Sequence, residues 1–255
     1  MNKNQISIQV YSARNFKPYE KIFKFLSENG VQNVELFEVE AFDETKDLLE
    51  KYNLTAKSSH IGFDTLKDTK DIISSLQKLN VKHAIVPCPV GKPGEKFEDI
   101  FNKNEEEWND FGKKLSSYVN VFEDNGITLG YHNHAFEFNK LPSGKMPIEC
   151  VLDHNEKLKF EIDIGWTYAG NSDPFFWINK YSEKIIACHL KDFYSQDVDF
   201  QDHDKQSAIG DGFIDWKKIL IEIKKTNCKV IAIEHDNPKD YKEYVTKSLD
   251  YLKSI

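Results

Sequence analysis

The chain has 255 residues, of which 40% are hydrophobic and 30% charged, and a net charge of -8. That length suits one large domain or two small ones, with enough apolar residues for a real core. The acidic balance, with no Lys/Arg cluster interleaved with aromatics, argues against a general binder of phosphate backbones.

In chain order, Gln5–Val10 alternates and is rich in β-branched residues, which predicts a first strand. Pro18 opens an amphipathic helix carrying Ile22, Phe23, Phe25 and Leu26, and Gly30 ends it. A second strand at Val34–Phe37 precedes a helix over Glu44–Tyr52, and a third at Thr55–His60 precedes one over Asp68–Leu79. The fourth, His83–Val86, stops at Pro87-Cys88-Pro89, and a long helix is expected over Glu105–Asp124. The fifth strand is Ile127–His132, followed by a short helix at Pro147–His154. Leu158–Asp163 and a helix at Pro174–Tyr181 come next, then Ile185–Leu190 and a helix at Trp216–Lys225. Lys229–Glu234 is the eighth strand, and Lys239–Lys253 the last helix.

Eight strand–helix units, about 32 residues each, predict an α/β fold: a single (β/α)8 TIM barrel over residues 1–255. A doubly wound sheet is the rival, but no G-x-G-x-x-G turn follows the first strand. Cys88, Cys150, Cys188 and Cys228 are widely spaced, which fits reduced thiols. No signal-peptide core and no run of membrane-spanning length are seen, so a cytoplasmic protein is expected.

In such a barrel the strand ends and the loops after them form one mouth, where chemistry is done. Delivered there are Gln9 and Tyr11, Glu35 or Glu38, His60, then His132, His134 and Glu137 from GYHNHAFEF. FEIDIGW adds Asp163 with Trp166 beyond it, ACHLKDF adds His189, Lys191 and Asp192, and IAIEHD adds Glu234, His235 and Asp236. One His and two or three carboxylates in a ring would make a nitrogen/oxygen site for one divalent metal ion: Mn, Co, Mg or Zn. Cys188, next to His189, should point to the other side of its strand.

The motifs GYHNHAFEF, DIGW, HLKDF, IGDGFIDW and IEHD, in that order, resemble the xylose-isomerase-like TIM-barrel superfamily, the sugar phosphate isomerase/epimerase group. The resemblance implies an ion held by Glu137, Asp163, His189 and Glu234. The ketose epimerases of that group carry their first Glu inside the strand, where Tyr131 or His132 stands here. The fifth-strand ligand is therefore Glu137 or His132, and a hard oxygen donor favours Glu137.

The shared reaction implied is proton abstraction next to a carbonyl, through a metal-stabilised enediolate. Returning the proton gives a sugar isomerase or epimerase, the leading expectation. Expelling a hydroxyl or glycosidic oxygen gives a carbon–oxygen lyase, either a keto-cyclitol dehydratase or a keto-glycoside eliminase. The HNH fifth strand and HLKD seventh keep that alternative near. A metal-dependent nuclease and a sugar-binding protein are the remoter readings. Catalytic candidates are Glu137, Glu234 and Lys191, the last with a pKa lowered by burial and by the ion, or else salt-bridged to Asp192 or Asp163. His60, His132, His134 and Trp166 are candidates for substrate contact; His60 could instead cap a loop, and Trp166 and Phe138 could be a sugar-facing wall or core. Asp215 should cap the helix after Gly210-Asp211-Gly212. The expected partner is a small carbohydrate, with no nucleic acid and no membrane, and homo-oligomer formation is left open.

Overall fold

A computed structural model describes residues 5–37, 42–90, 96–198 and 203–255. Eight parallel strands close into a barrel: β1 (Ile6–Gln9), β2 (Asn33–Phe37), β3 (Thr55–His60), β4 (His83–Val86), β5 (Thr128–His132), β6 (Lys159–Asp163), β7 (Ile185–Leu190) and β10 (Val230–Ile233). Each pairs with its sequence neighbour, and β1 pairs with β10 in the register Ile6↔Ile231, which closes the ring. Two residues of β8 (Asp192–Phe193) and two of β9 (Gln206–Ser207) add a small antiparallel hairpin above β7.

The period of two sorts the side chains. Leu129, Tyr131, Phe160, Ile162, Cys188, Leu190, Ile231 and Ile233 join the apolar core shared with the helices. Cys188 thus lies opposite His189, as expected. The alternate residues line the barrel. Ala187, Val230 and Ala232 form their own small cluster there. Gly130 leaves room for Ile85, whose Cδ1 would stand 2.8 Å from a Cβ at that position. Beyond them the lining turns polar: Gln9, Glu35, Ser58, His132, Glu161, Asp163 and His189 are buried.

The helices are α1 (Tyr19–Glu28), α2 (Phe42–Lys51), α3 (Thr69–Lys78), α4 (Glu105–Ser117), α5 (Val119–Asp124), α6 (Pro147–Leu152), α7 (Ile164–Ala169), α8 (Pro174–Lys180), α9 (Trp216–Ile223) and α10 (Tyr241–Ser254). The long helix expected over Glu105–Asp124 is two. The Ser117 hydroxyl donates to the Lys114 carbonyl at 2.7 Å and the Asn155 amide to that of Ser116 at 3.4 Å, which interrupts the ladder at Tyr118. Asp215 caps α9 through the Lys218 N–H, as the sequence predicts. Unforeseen were α7, which starts directly on β6, and the hairpin. All four cysteines are free. Among the described residues no helix is long and apolar enough to cross a membrane.

Candidate metal centre and active site

Four inward side chains, three from β5, β6 and β7 and one from the residue just past β10, meet at the C-terminal end of the barrel. One donor atom from each of His132, Asp163, His189 and Glu234 lies within 4.8 Å of the others, and all four residues are buried. His189 Nδ1 stands 3.0 Å from Glu234 Oε2, and Asp163 Oδ2 is 4.0 Å from both His132 Nε2 and His189 Nδ1. Asp163 Oδ1 accepts the Trp166 N–H at 2.8 Å and so caps α7, whereas its buried Oδ2 has no hydrogen-bond partner. The positive group facing this oxygen is the Lys191 ammonium, 3.6 Å away and beyond hydrogen-bond distance. Two imidazoles and two carboxylates around it suit a divalent ion, so the residues fit the metal that the sequence reading expects. Burial pushes the Asp163 pKa up to about 7, against the pull of Lys191 and His189. Burial also pushes His132 down to about 4, leaving a neutral imidazole suited to ligation. For His189, burial opposes charge, but Glu161, Glu35 and Glu234 outweigh it and raise its pKa well above the ordinary value.

Glu137 is not brought to that set. Tyr131 points away from His132, and its hydroxyl donates to Glu137 Oε1 at 2.5 Å, so the carboxylate sits on the outer side of the barrel wall. Oε2 accepts the His134 N–H at 2.8 Å, and a 3-10 turn over Phe136–Phe138 carries the chain round. Burial raises the Glu137 pKa to about 8. The structure thus joins His132, not Glu137, to Asp163, His189 and Glu234.

Lys191 is fully buried beside the set. Its Nζ lies 2.9 Å from Asp236 Oδ1, 3.0 Å from Glu234 Oε2 and 3.6 Å from Asp163 Oδ2, and 4.5 Å over the Trp166 ring. Burial works toward the expected lowering of its pKa, but Asp236, Glu234 and Asp163 overcome burial and raise the value; the charge of an ion would be added to that balance. Asp192 is not its partner either. That carboxylate takes the Trp216 Nε1–H at 2.7 Å and the Gly210 N–H at 2.9 Å, and so ties down the loop before α9.

His134 is half-buried, its ring 5.1 Å from that of His132 and 6.1 Å from that of Trp166. Burial drops its pKa well below the ordinary value. Phe138 packs on Trp177 at 5.4 Å, in the core. His60 donates no cap; its Nε2 meets Glu161 Oε2 at 2.7 Å inside the barrel. Gln9 Nε2 donates to Glu35 Oε1 at 2.8 Å, and Tyr11 stacks under the Arg14 guanidinium at 3.8 Å. His235 turns outward onto Tyr244, with rings 5.1 Å apart. Glu38 and residues 199–202 lie outside the described residues.

Three buried neighbours of these side chains escape the sequence reading. Glu161 is buried one inward position below Asp163, so alternation along FEID was the available signal. Asn133 clamps Asp163, its Oδ1 accepting the Asp163 N–H at 3.0 Å and its Nδ2 donating to the Asp163 carbonyl at 3.2 Å. Gln206 holds Asp236 through both side-chain atoms. No sequence pattern announces the last two.

A closed parallel barrel with buried nitrogen and oxygen donors at the C-terminal strand ends defines an α/β-barrel enzyme scaffold with a candidate metal centre. The chain belongs to the xylose isomerase-like TIM barrel family, whose model matches residues 16–255. An inosose dehydratase of Clostridium botulinum is 29% identical over 175 residues, covering 62% of this chain and 57% of that relative. The match therefore spans little more than half of the curated relative's length. A sugar phosphate isomerase/epimerase structure from Parabacteroides distasonis superposes with a TM-score of 0.81 at 20% identity, covering 98% of both chains. The IOLI protein, solved with a binding zinc atom, superposes at 0.72 with 13% identity over 98% of this chain and 97% of its own. These two share the fold.

Proposed function

We propose that this chain is a divalent-metal-dependent carbon–oxygen lyase acting on a polyhydroxylated ketone of the keto-cyclitol or keto-sugar class. The observation that carries the reading is Lys191, a charged ammonium fixed 3.0 Å from Glu234 at the edge of the donor set. The inosose dehydratase relatives, dehydratases by name, support the same reaction class. His132, Asp163, His189 and Glu234 would hold the ion, and the zinc of the IOLI protein makes zinc one metal to try. A bound divalent ion would supply a Lewis acid that polarises the substrate carbonyl and acidifies the neighbouring C–H.

Neutral His134 stands at the mouth and is the base we assign to that C–H. Lys191, held charged by Asp236, Glu234 and Asp163, is the acid we assign to the departing oxygen. The C–H proton then passes to His134, the C–O bond breaks, and water or an alcohol leaves with the Lys191 proton. Trp166 backs Lys191 with an apolar face and limits its access to water. His60, bound to Glu161 inside the barrel, supports the site from below.

The ion-loaded protein, incubated in D2O with keto-cyclitols, keto-sugars and keto-glycosides, tests this by mass spectrometry. Loss of water or aglycone is expected. Deuterium gain without loss of mass would replace the lyase by an isomerase or epimerase, which uses the same donor set.

A further inference from the structure

Deeper in the barrel than the donor set lies a second polar cluster. Glu161 Oε2 is 3.0 Å from His132 Nδ1, 2.7 Å from His60 Nε2 and 3.2 Å from His189 Nε2. One carboxylate oxygen thus serves imidazoles from β3, β5 and β7, and the Glu161 and His189 side chains are wholly buried. Glu35 also takes His189 Nε2 on its Oε1, and is held in turn by Gln9 and by the Ser58 hydroxyl.

We infer that Glu161 is a positioning residue: it fixes which nitrogen of His132 faces the donor set, and the deeper cluster is not a second ion site. A ring nitrogen bonded to a carboxylate carries the proton, so the other nitrogen is the one able to offer a lone pair to an ion. In His132 the bonded atom is Nδ1, and Nε2 faces Asp163 Oδ2 at 4.0 Å. His189 is different, because both its nitrogens meet carboxylates: Nε2 those of Glu35 and Glu161, and Nδ1 that of Glu234 at 3.0 Å, so Glu161 does not select its tautomer. An ion in the deeper cluster would need the lone pair on His132 Nδ1, and the upper set would lose His132 Nε2 as a donor. The backbone permits this sharing because Glu161 pairs in register with His132 on one side and Ala187 on the other, where the small side chain leaves room.

The inference rests on the metal reading proposed above, and the two are tested separately. Long-range 1H–15N spectra of the chelated wild-type protein are expected to find His132 protonated on Nδ1. Protonation on Nε2 would overturn the inference whether or not the protein binds an ion. Calorimetric titration with Zn²⁺ and Mn²⁺ is expected to give one ion per chain. Glu161→Ala should weaken binding about 10–100-fold, and Glu161→Gln, whose amide oxygen still accepts an N–H, should recover part of the loss. Two ions per chain, or wild-type affinity in both variants, would overturn it. A wild-type chain that binds no divalent ion would sink the metal reading, and the His132 tautomer would still decide the inference.

Discussion

Glu137 accepts the Tyr131 hydroxyl and the His134 N–H behind the barrel wall, with a pKa of about 8 against an ordinary 4.5. Between those values the folded chain keeps a proton that the unfolded chain has released, so stability falls as pH rises through that window. Glu137→Gln should remove this decline and melt above wild type at the alkaline end, with about 2–4 °C for each kcal/mol relieved. Melting curves across pH check it, and lost ion binding in that variant would return Glu137 to the ligand set. Asp163, at about 7, must shed its proton to hold an ion, so ion affinity should drop as pH falls below that value. Calorimetry at several pH values measures this; a flat profile would contradict it. Lys191→Met should cut kcat by about 10²–10⁴ with ion binding retained, if it is the acid. Asp163, His189 and Glu234 were legible because each strand-end motif offers one obvious donor. His132 against Glu137 was not, because the period of two governs β5 but stops at the 3-10 turn that carries Glu137 back over the outer face.

The helix α7 begins on the residue after the end of β6, and Asp163 caps it while presenting its other oxygen to the site. Gly165 makes this junction fit: a Cβ there would stand 2.3 Å from the Lys191 carbonyl and 2.9 Å from the Lys191 Cβ. Gly165→Ala should therefore cost about 1–3 kcal/mol through forced backbone movement, and should lower kcat by displacing Lys191. Urea midpoints and steady-state rates measure the two effects, and wild-type values for both would refute the close approach. Strands were the most legible elements, with β3, β4 and β7 falling on their expected residues. The six-residue α7 and the two-residue hairpin strands were not, since so few residues carry no periodicity, and tertiary anchors such as Asp192 hold the hairpin in place.

At the scale of the barrel, the donor set ties β5, β6 and β7 to the residue just past β10, so a bound ion would act as a clamp across half the ring. An ion at a hundred times its dissociation constant should stabilise the fold by about 2.7 kcal/mol. Thermal melts with Zn²⁺, then with excess chelator, read this directly, and an unchanged melting temperature would count against the site. Eightfold alternation made the barrel legible, and with it the closing seam, since eight successive parallel strands close the first on the eighth. That seam has a consequence for synthesis. Until β10 has emerged from the ribosome, β1 and β7 are bare strand edges, open to pairing with other chains. Glu234 follows β10, so the ion site is completed only when that exposure ends. Metal loading would then report that a nascent chain has escaped its most aggregation-prone interval.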